Sequence, residues 1–319
     1  MESLLPESST ISHANASSSV IPVVCGADDQ YAMPLAVMVC SILANLGRSR
    51  KLLLYVVDGG IKEQNKQRII QSINPEQCTI EWLKPSNDAL EGLKLTQHFS
   101  SAIYYRLLIP ELLPQSFDRA IYLDCDLVVN VDLGALWDID IGEHYLLAAL
   151  DTHFPYASSV LLNSESLNLL PDCKYLNSGV LVVNLKKWRS EQISSKVIRY
   201  IDQHPDNIRF PDQDGLNIVL ADQWGELDLR WNQTPFIHDY PSWSDSPFDQ
   251  ETYNNVINDP WIIHFASKFK PWNTYKFKAE HQELFYRYLD MTDWAGWRFT
   301  LWQAIYNKLR RMILRTEAR

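Results

Sequence analysis

The sequence predicts an α/β protein: a mostly parallel sheet with helices on both faces. Three observations point there. Strand-like apolar runs alternate with helical runs from residue 20 onward, the order that crossover connections produce. The apolar runs are continuous rather than alternating, as in strands covered on both sides. Polar residues able to do chemistry recur just after these runs, where open α/β sheets hold their ligands.

Residues 1–19 contain seven serines and little that could enter a core, so they are expected to form a flexible tail. Residues 20–25 form the first predicted strand. Pro34 then suits the first turn of an apolar helix reaching about Leu46. A second strand is expected at 52–57, an amphipathic helix at 62–73 and a third strand at 78–83. Residues 100–113 read as a helix carrying Arg106. Residues 120–129 read as a buried strand that ends in two carboxylates, with a few more residues after them, and 145–150 as another strand ending at Asp151. A Ser/Asn/Leu-rich connection fills 152–173. A strand follows at 179–185, a helix at 187–203 and a helix opened by Asp212. Residues 223–258 lack periodicity and read as a long loop region with short elements. Residues 261–265 are the last core strand, and 265–272 a basic loop. From Trp294 on, apolar residues recur every three or four positions, one helical stripe. The expected organisation is a tail (1–19), one α/β domain (20–290) and a basic, aromatic helical segment (291–319).

Of the 319 residues, 46% are apolar, enough for a sizeable core rather than a disordered chain. A net charge of −10 argues against a nucleic-acid partner. The five cysteines, Cys25, Cys40, Cys78, Cys125 and Cys173, are odd in number and lack any Cys-x-x-Cys spacing, which fits reduced thiols rather than a disulfide framework. No secretory leader and no bilayer-length apolar run is visible, so a cytoplasmic protein is expected. Asn15 and Asn232 each open a glycosylation-type triplet. Gly-x-Gly-x-x-Gly, P-loop, Gly-x-Ser-x-Gly and His-Glu-x-x-His patterns are all missing, which weakens the dinucleotide, P-loop, serine-hydrolase and zinc-protease readings.

Asp124 and Asp126 carry the strongest chemical signal. At strand spacing the two carboxylates face one way and can share one cation. Unpaired at the mouth of an apolar core they would repel each other and be costly to desolvate; an oxygen-preferring divalent ion removes both problems. An isolated Asp-x-Asp can equally be a solvated turn, so its context decides.

That context resembles the family 8 retaining glycosyltransferases, which have the Rossmann-like GT-A fold. The resemblance covers roughly residues 20–290. It rests on Ala27-Asp-Asp-Gln-Tyr31, Tyr105-Arg106-Leu107, Tyr122-Leu-Asp-Cys-Asp126, Leu136-Trp-Asp138, Leu176-Asn-Ser-Gly179, Asn184-Leu-Lys-Lys-Trp188, Asp212-Gln-Asp214 and His264 followed by Lys270-Pro-Trp272. It implies a metal-dependent hexosyltransferase moving glucose or galactose from a UDP-sugar to a saccharide or glycolipid acceptor. By matching motif, Asp124, Asp126 and His264 are the implied ligands of Mn2+ or Mg2+; an imidazole beside two carboxylates favours manganese. Ala27, Asp28, Asp29, Arg106, Asp124, Cys125, Asn177, Ser267 and Lys270 are the implied donor contacts, with Asp28 preferred over Asp29 for the uridine. Asp151, Asp212 and Gln213 are the implied catalytic group. An amide oxygen is a poor nucleophile, which favours a front-face route over a covalent intermediate. Asp28 and Asp212 could also be no more than helix-start residues.

Ser267 stands where the family usually has glycine, which keeps a catalytically silent nucleotide-sugar-binding protein as the alternative. A phosphohydrolase using Asp124 would leave Asp212, Gln213 and Lys270 without roles. Residues 292–319 hold six cationic and two anionic residues beside their aromatic stripe, which suits peripheral contact with an anionic membrane face.

Overall fold

The computed structural model describes residues 19–84, 101–162, 167–274 and 279–303. The tail before Ser19 and the basic segment after Gln303 lie outside the described residues. In chain order the elements are β1 (Val20–Ala27), α1 (Ala32–Asn45), β2 (Lys51–Asp58), α2 (Glu63–Gln71), β3 (Cys78–Leu83), α3 (Ile109–Leu112), β4 (Arg119–Leu123), β5 (Leu127–Val129), α4 (Leu133–Trp137), β6 (Leu146–Leu150) and β7 (Leu176–Asn184). They continue with α5 (Leu185–Glu191), α6 (Ile193–Gln203), α7 (Pro211–Val219), β8 (Gly225–Glu226), α8 (Gln250–Asn258), β9 (Ile262–His264) and α9 (Gln282–Leu289).

Seven strands form the main sheet in the order β3-β2-β1-β4-β7-β6-β8. β7 alone runs against its neighbours β4 and β6; the other pairings are parallel. This is the predicted fold class. The carboxyl ends of β1, β2, β4 and β6 therefore meet the amino end of β7 along one edge. Continuous apolar strands produce the expected burial: β6 is buried throughout, and β7 at all but its last residue.

The expected strand does end at the carboxylates, and a second strand follows them within the stretch 120–129. β4 ends at Leu123, and β5 pairs with β9 in a separate two-stranded ribbon. Asp124 N still donates to Gly179 O in the main sheet (2.9 Å), while Asp126 O accepts from Phe265 N in the ribbon (2.9 Å). The chain thus changes hydrogen-bonding partner within three residues, and the two aspartates sit at the crossing. The predicted last core strand belongs to this ribbon rather than to the main sheet. α1, buried on nearly every side, supports β5 through polar groups: Ser41 Oγ accepts from Val129 N (2.9 Å) and Asn45 Nδ2 donates to Val129 O (3.0 Å). Both bonds satisfy backbone that a two-stranded ribbon leaves unpaired.

Other boundaries moved for local reasons. Arg106 lies in a 3-10 stretch (Ser101–Leu108) that precedes the short α3. The helix at 187–203 is broken at Gln192, which is left-handed at φ 54°. Asp249 accepts from Thr252 N (2.8 Å), starting a helix, α8, inside the supposed loop region. Trp294 does not open an exposed helix. It is buried in the core, with the Arg68 guanidinium 4.0 Å above its ring and Gly296 in a left-handed turn after it. Leu301 and Trp302, next along, are exposed.

Candidate active site

Each polar group at the sheet edge has its own local cause. Asp28 follows β1, and its Oδ1 accepts from Gln30 N (2.9 Å) and Tyr31 N (3.2 Å), capping the turn into α1. Oδ2 of Asp28 has no part in that cap. Asp29 is spent elsewhere: Oδ1 accepts from Lys62 N (3.0 Å) and Asn65 Nδ2 (2.7 Å), and Oδ2 pairs with Lys62 Nζ (2.8 Å), tying down the start of α2. Of the two, Asp28 keeps the capacity to accept from a ligand.

Asp124, Asp126 and His264 converge, each offering a ligand atom within 4.8 Å of the other two. His264 Nε2 lies 3.3 Å from Asp126 Oδ1 and 3.7 Å from Asp124 Oδ2. Gly179 makes room for the ring: a Cβ there would stand 2.4 Å from His264 Cε1. Burial raises the Asp124 carboxyl above its ordinary range in spite of Arg106, and the charge on Asp126 adds to the rise. Burial pushes Asp126 the same way, but Lys270 and then His264 outweigh it and hold that carboxyl well below its ordinary range. The Lys270 ammonium pairs with Asp126 Oδ2 and donates to Phe265 O (2.6 Å). Two hard oxygens and an imidazole nitrogen, Asp126 and His264 buried and Asp124 half-buried, gathered so closely suit a divalent ion.

Arg106 bridges the two halves of the site. Nη2 pairs with Asp124 Oδ1 (2.7 Å), and Nη1 with Asp212 Oδ2 (2.9 Å) and Ser178 O (2.8 Å). Asp212 and Gln213 are presented by the first turn of α7, which Asp214 locks by accepting from Arg209 N (2.7 Å), Phe210 N (2.9 Å) and the Tyr175 hydroxyl. Gln213 Oε1 accepts from Ser178 N (3.0 Å), a group that can only donate, so Nε2 faces Asp151 Oδ2 (3.0 Å). Asn177 Nδ2 donates to the same oxygen (2.9 Å), while Asp151 Oδ1 accepts from His153 N and Phe154 N in the turn after β6.

Sequence reasoning missed three groups. Asn232 is fully buried between His264 Nδ1 (3.0 Å) and Asn177 Oδ1 (2.8 Å). It is therefore no surface glycosylation acceptor; its triplet marks a core polar residue. Ser178 was visible only as a motif letter. His153, Phe154, Phe210 and Phe236 form an aromatic rim, with the His153 and Phe236 rings 4.6 Å apart. This rim and the polar groups enclose a cleft of about 290 Å³, whose walls include Arg106, Asp124, Asp126, Asp151, Asn177, Asp212, Gln213 and His264.

Ala27, Asp28, Asp29, Cys125, Ser267 and Lys270 do not line that cleft. Lys270 reaches it only through Asp126. The Cys125 side chain is buried, its thiol donating to Gly26 O (3.0 Å). Ser267 Oγ accepts from Phe269 N (3.1 Å), and its backbone is outside the left-handed region. Nothing about that backbone demands the glycine expected there.

A sheet of this topology, with two carboxylates, an imidazole and a sugar-sized polar cleft along its ligand edge, is the architecture of a GT-A glycosyltransferase. Residues 22–276 match Glycosyl transferase family 8, and the chain belongs to that family. Over 278 residues it is 35% identical to General stress protein A of Bacillus subtilis, covering 86% of this chain and 95% of that protein. It is 26% identical over 260 residues to the lipopolysaccharide 1,2-glucosyltransferase of Escherichia coli K12, covering 80% and 74%. Among solved structures, the galactosyltransferase LgtC in complex with donor and acceptor sugar analogues superposes with a TM-score of 0.74 at 26% identity, covering 86% of this chain and 96% of that one. Among the described residues no helix is long and apolar enough to cross a membrane.

Proposed function

We propose that this glycosyltransferase is a metal-dependent, retaining hexosyltransferase that moves glucose or galactose from a UDP-sugar to a saccharide or glycolipid acceptor. The observation that carries the reading is the meeting of Asp124, Asp126 and His264 with Arg106, Asp151, Asp212 and Gln213 around one cleft. The relatives named above, a glucosyltransferase and a galactosyltransferase, support a hexose.

In this reading Asp124, Asp126 and His264 hold Mn2+, or Mg2+ in its place. When bound, the ion neutralises the diphosphate as its charge grows. Lys270 exchanges Asp126 for the departing diphosphate and stabilises that charge from a second side. Oδ2 of Asp28 accepts from the uridine. Asp151, Asn177, Asp212 and Arg106 receive the sugar hydroxyls, which need donors and acceptors at fixed distance. Gln213 Oε1 is already engaged by Ser178 N, and by Ser178 Oγ at 3.3 Å, which suits an electrostatic role beside the anomeric carbon better than attack on it. The bond from C1 to the diphosphate oxygen breaks, and the acceptor oxygen bonds C1 on the same face. The acceptor's proton leaves with the diphosphate. Beyond Trp294, the segment from Leu301 on is the proposed contact with an anionic membrane face.

The test is a donor panel of UDP-glucose, UDP-galactose and UDP-N-acetylglucosamine with manganese, then with a chelator. One of the first two donors should be turned over, with retained stereochemistry, and the chelator should abolish turnover. Chelator-resistant turnover, or none of any donor, rejects the proposal.

A further inference from the structure

The hydrogen bonds around the cleft run in one chain: His264, Asn232, Asn177, Asp151, Gln213, Ser178, Arg106, Asp124. The chain's last member, Asp124, lies 3.7 Å from His264 Nε2, beyond hydrogen-bond reach. A backbone amide fixes the polarity of its first part. Gly179 N can only donate, and it donates to Asn177 Oδ1 (3.0 Å); the opposite end of that amide donates to the Asp151 carboxylate (2.9 Å). Asn177 therefore has one orientation. The Asn232 group that meets Asn177 Oδ1 must then be its NH2, so Asn232 turns Oδ1 toward His264. An oxygen there accepts only from a protonated Nδ1.

We infer that Asn232 is a positioning residue that keeps the Nδ1 proton of His264 on its own side of the ring, so that Nε2 is the nitrogen turned toward Asp124 and Asp126. The inference rests on the proposed metal role of His264, but its central statement concerns where one proton sits. It assigns Asn232 two functions through one side chain. Toward His264 it fixes the ring and its free nitrogen, the usual means by which an outer partner tunes a metal-binding imidazole. Toward Asn177 it helps hold the amide that steadies Asp151. The metal half and the sugar half of the cleft are thereby joined by a residue that lines neither. A side chain with no exposed surface and both amide ends engaged tolerates little rearrangement.

The test begins on the unaltered protein. Long-range nitrogen–proton correlation of histidine-labelled protein at alkaline pH, with the His264 signals assigned by their loss in His264→Gln, should show the proton on Nδ1. An Nδ1 without a proton overturns the inference whatever any variant does. Next, manganese affinity is measured by titration in wild type, Asn232→Leu and Asn232→Asp. The leucine variant should bind manganese about 10- to 100-fold more weakly. The aspartate variant, which still accepts from Nδ1, should lose clearly less. Equal affinity in wild type and leucine variant overturns the inference. If wild-type protein shows no manganese binding that depends on Asp124, the proposed function fails instead, and the tautomer measurement still decides the role of Asn232.

Discussion

Replacing Gly179 by alanine is the sharpest test of the cation site, because it adds one carbon and removes no ligand. The new Cβ would lie 2.4 Å from His264 Cε1, 2.7 Å from Nδ1 and 3.1 Å from Asp124 Oδ2. Comfortable carbon–carbon contact begins near ~3.5 Å, so the ring must retreat by about 1 Å. It cannot do so freely: Asn232 holds Nδ1, and His264 N donates to Gln233 O (2.8 Å). Overpacking of this kind costs about 1–3 kcal/mol, and a misplacement of about 1 Å at a reacting centre can cost on the order of 100-fold in rate. Gly179→Ala should therefore fold, melt a few degrees lower, and lose about 100-fold in both manganese affinity and turnover. Thermal denaturation, manganese titration and donor turnover read the three effects. A folded variant with wild-type manganese affinity would refute the placement of His264 against Asp124 and Asp126.

Asp126→Asn should fold yet lose nearly all manganese-dependent turnover; wild-type rates would remove Asp126 from the ligand set. Lys270→Met removes the cation now paired with Asp126. Turnover should fall about 10²- to 10³-fold by analogy with loss of a charge-stabilising donor, while manganese affinity holds or improves, and a large loss of affinity would argue that the lysine supports the ion rather than the diphosphate. Deleting residues 300–319 should abolish binding to anionic vesicles; undiminished binding would place the membrane contact elsewhere. Extending that deletion back to residue 292 also removes buried Trp294 and should cost about 3–5 kcal/mol of stability, seen as a lower denaturant midpoint.

Local pattern made the first half of the sheet legible: continuous apolar runs at β1, β2 and β3 carry their own signal, and so does Pro34 at the start of α1. The convergence of Asp124, Asp126 and His264 was readable through motif order, although the last two lie 138 positions apart in the chain. What stayed hidden depends on partners distant in sequence. Nothing in residues 120–129 says that Asp124 bonds β7 while Asp126 bonds the chain beside β9, so the residues after the carboxylates carry no sign of the second strand. Asn232 lies in a stretch without periodicity, and an asparagine there looks like a turn or a glycosylation acceptor until burial is known. Trp294 fits a helical stripe by spacing, yet Arg68, which covers it, belongs to α2. The left-handed Gln192 that divides α5 from α6 has no local marker such as glycine.

The crossing between β4 and β5 also bears on cohesion. Asp124 is fastened to the seven-stranded sheet, whereas Asp126 and His264 belong to the small ribbon. An ion gripped by all three would act as a rivet between two separately bonded layers, so part of its binding free energy would appear as resistance to their separation. Hydrogen exchange at β9 should slow when manganese is added, with no sugar present.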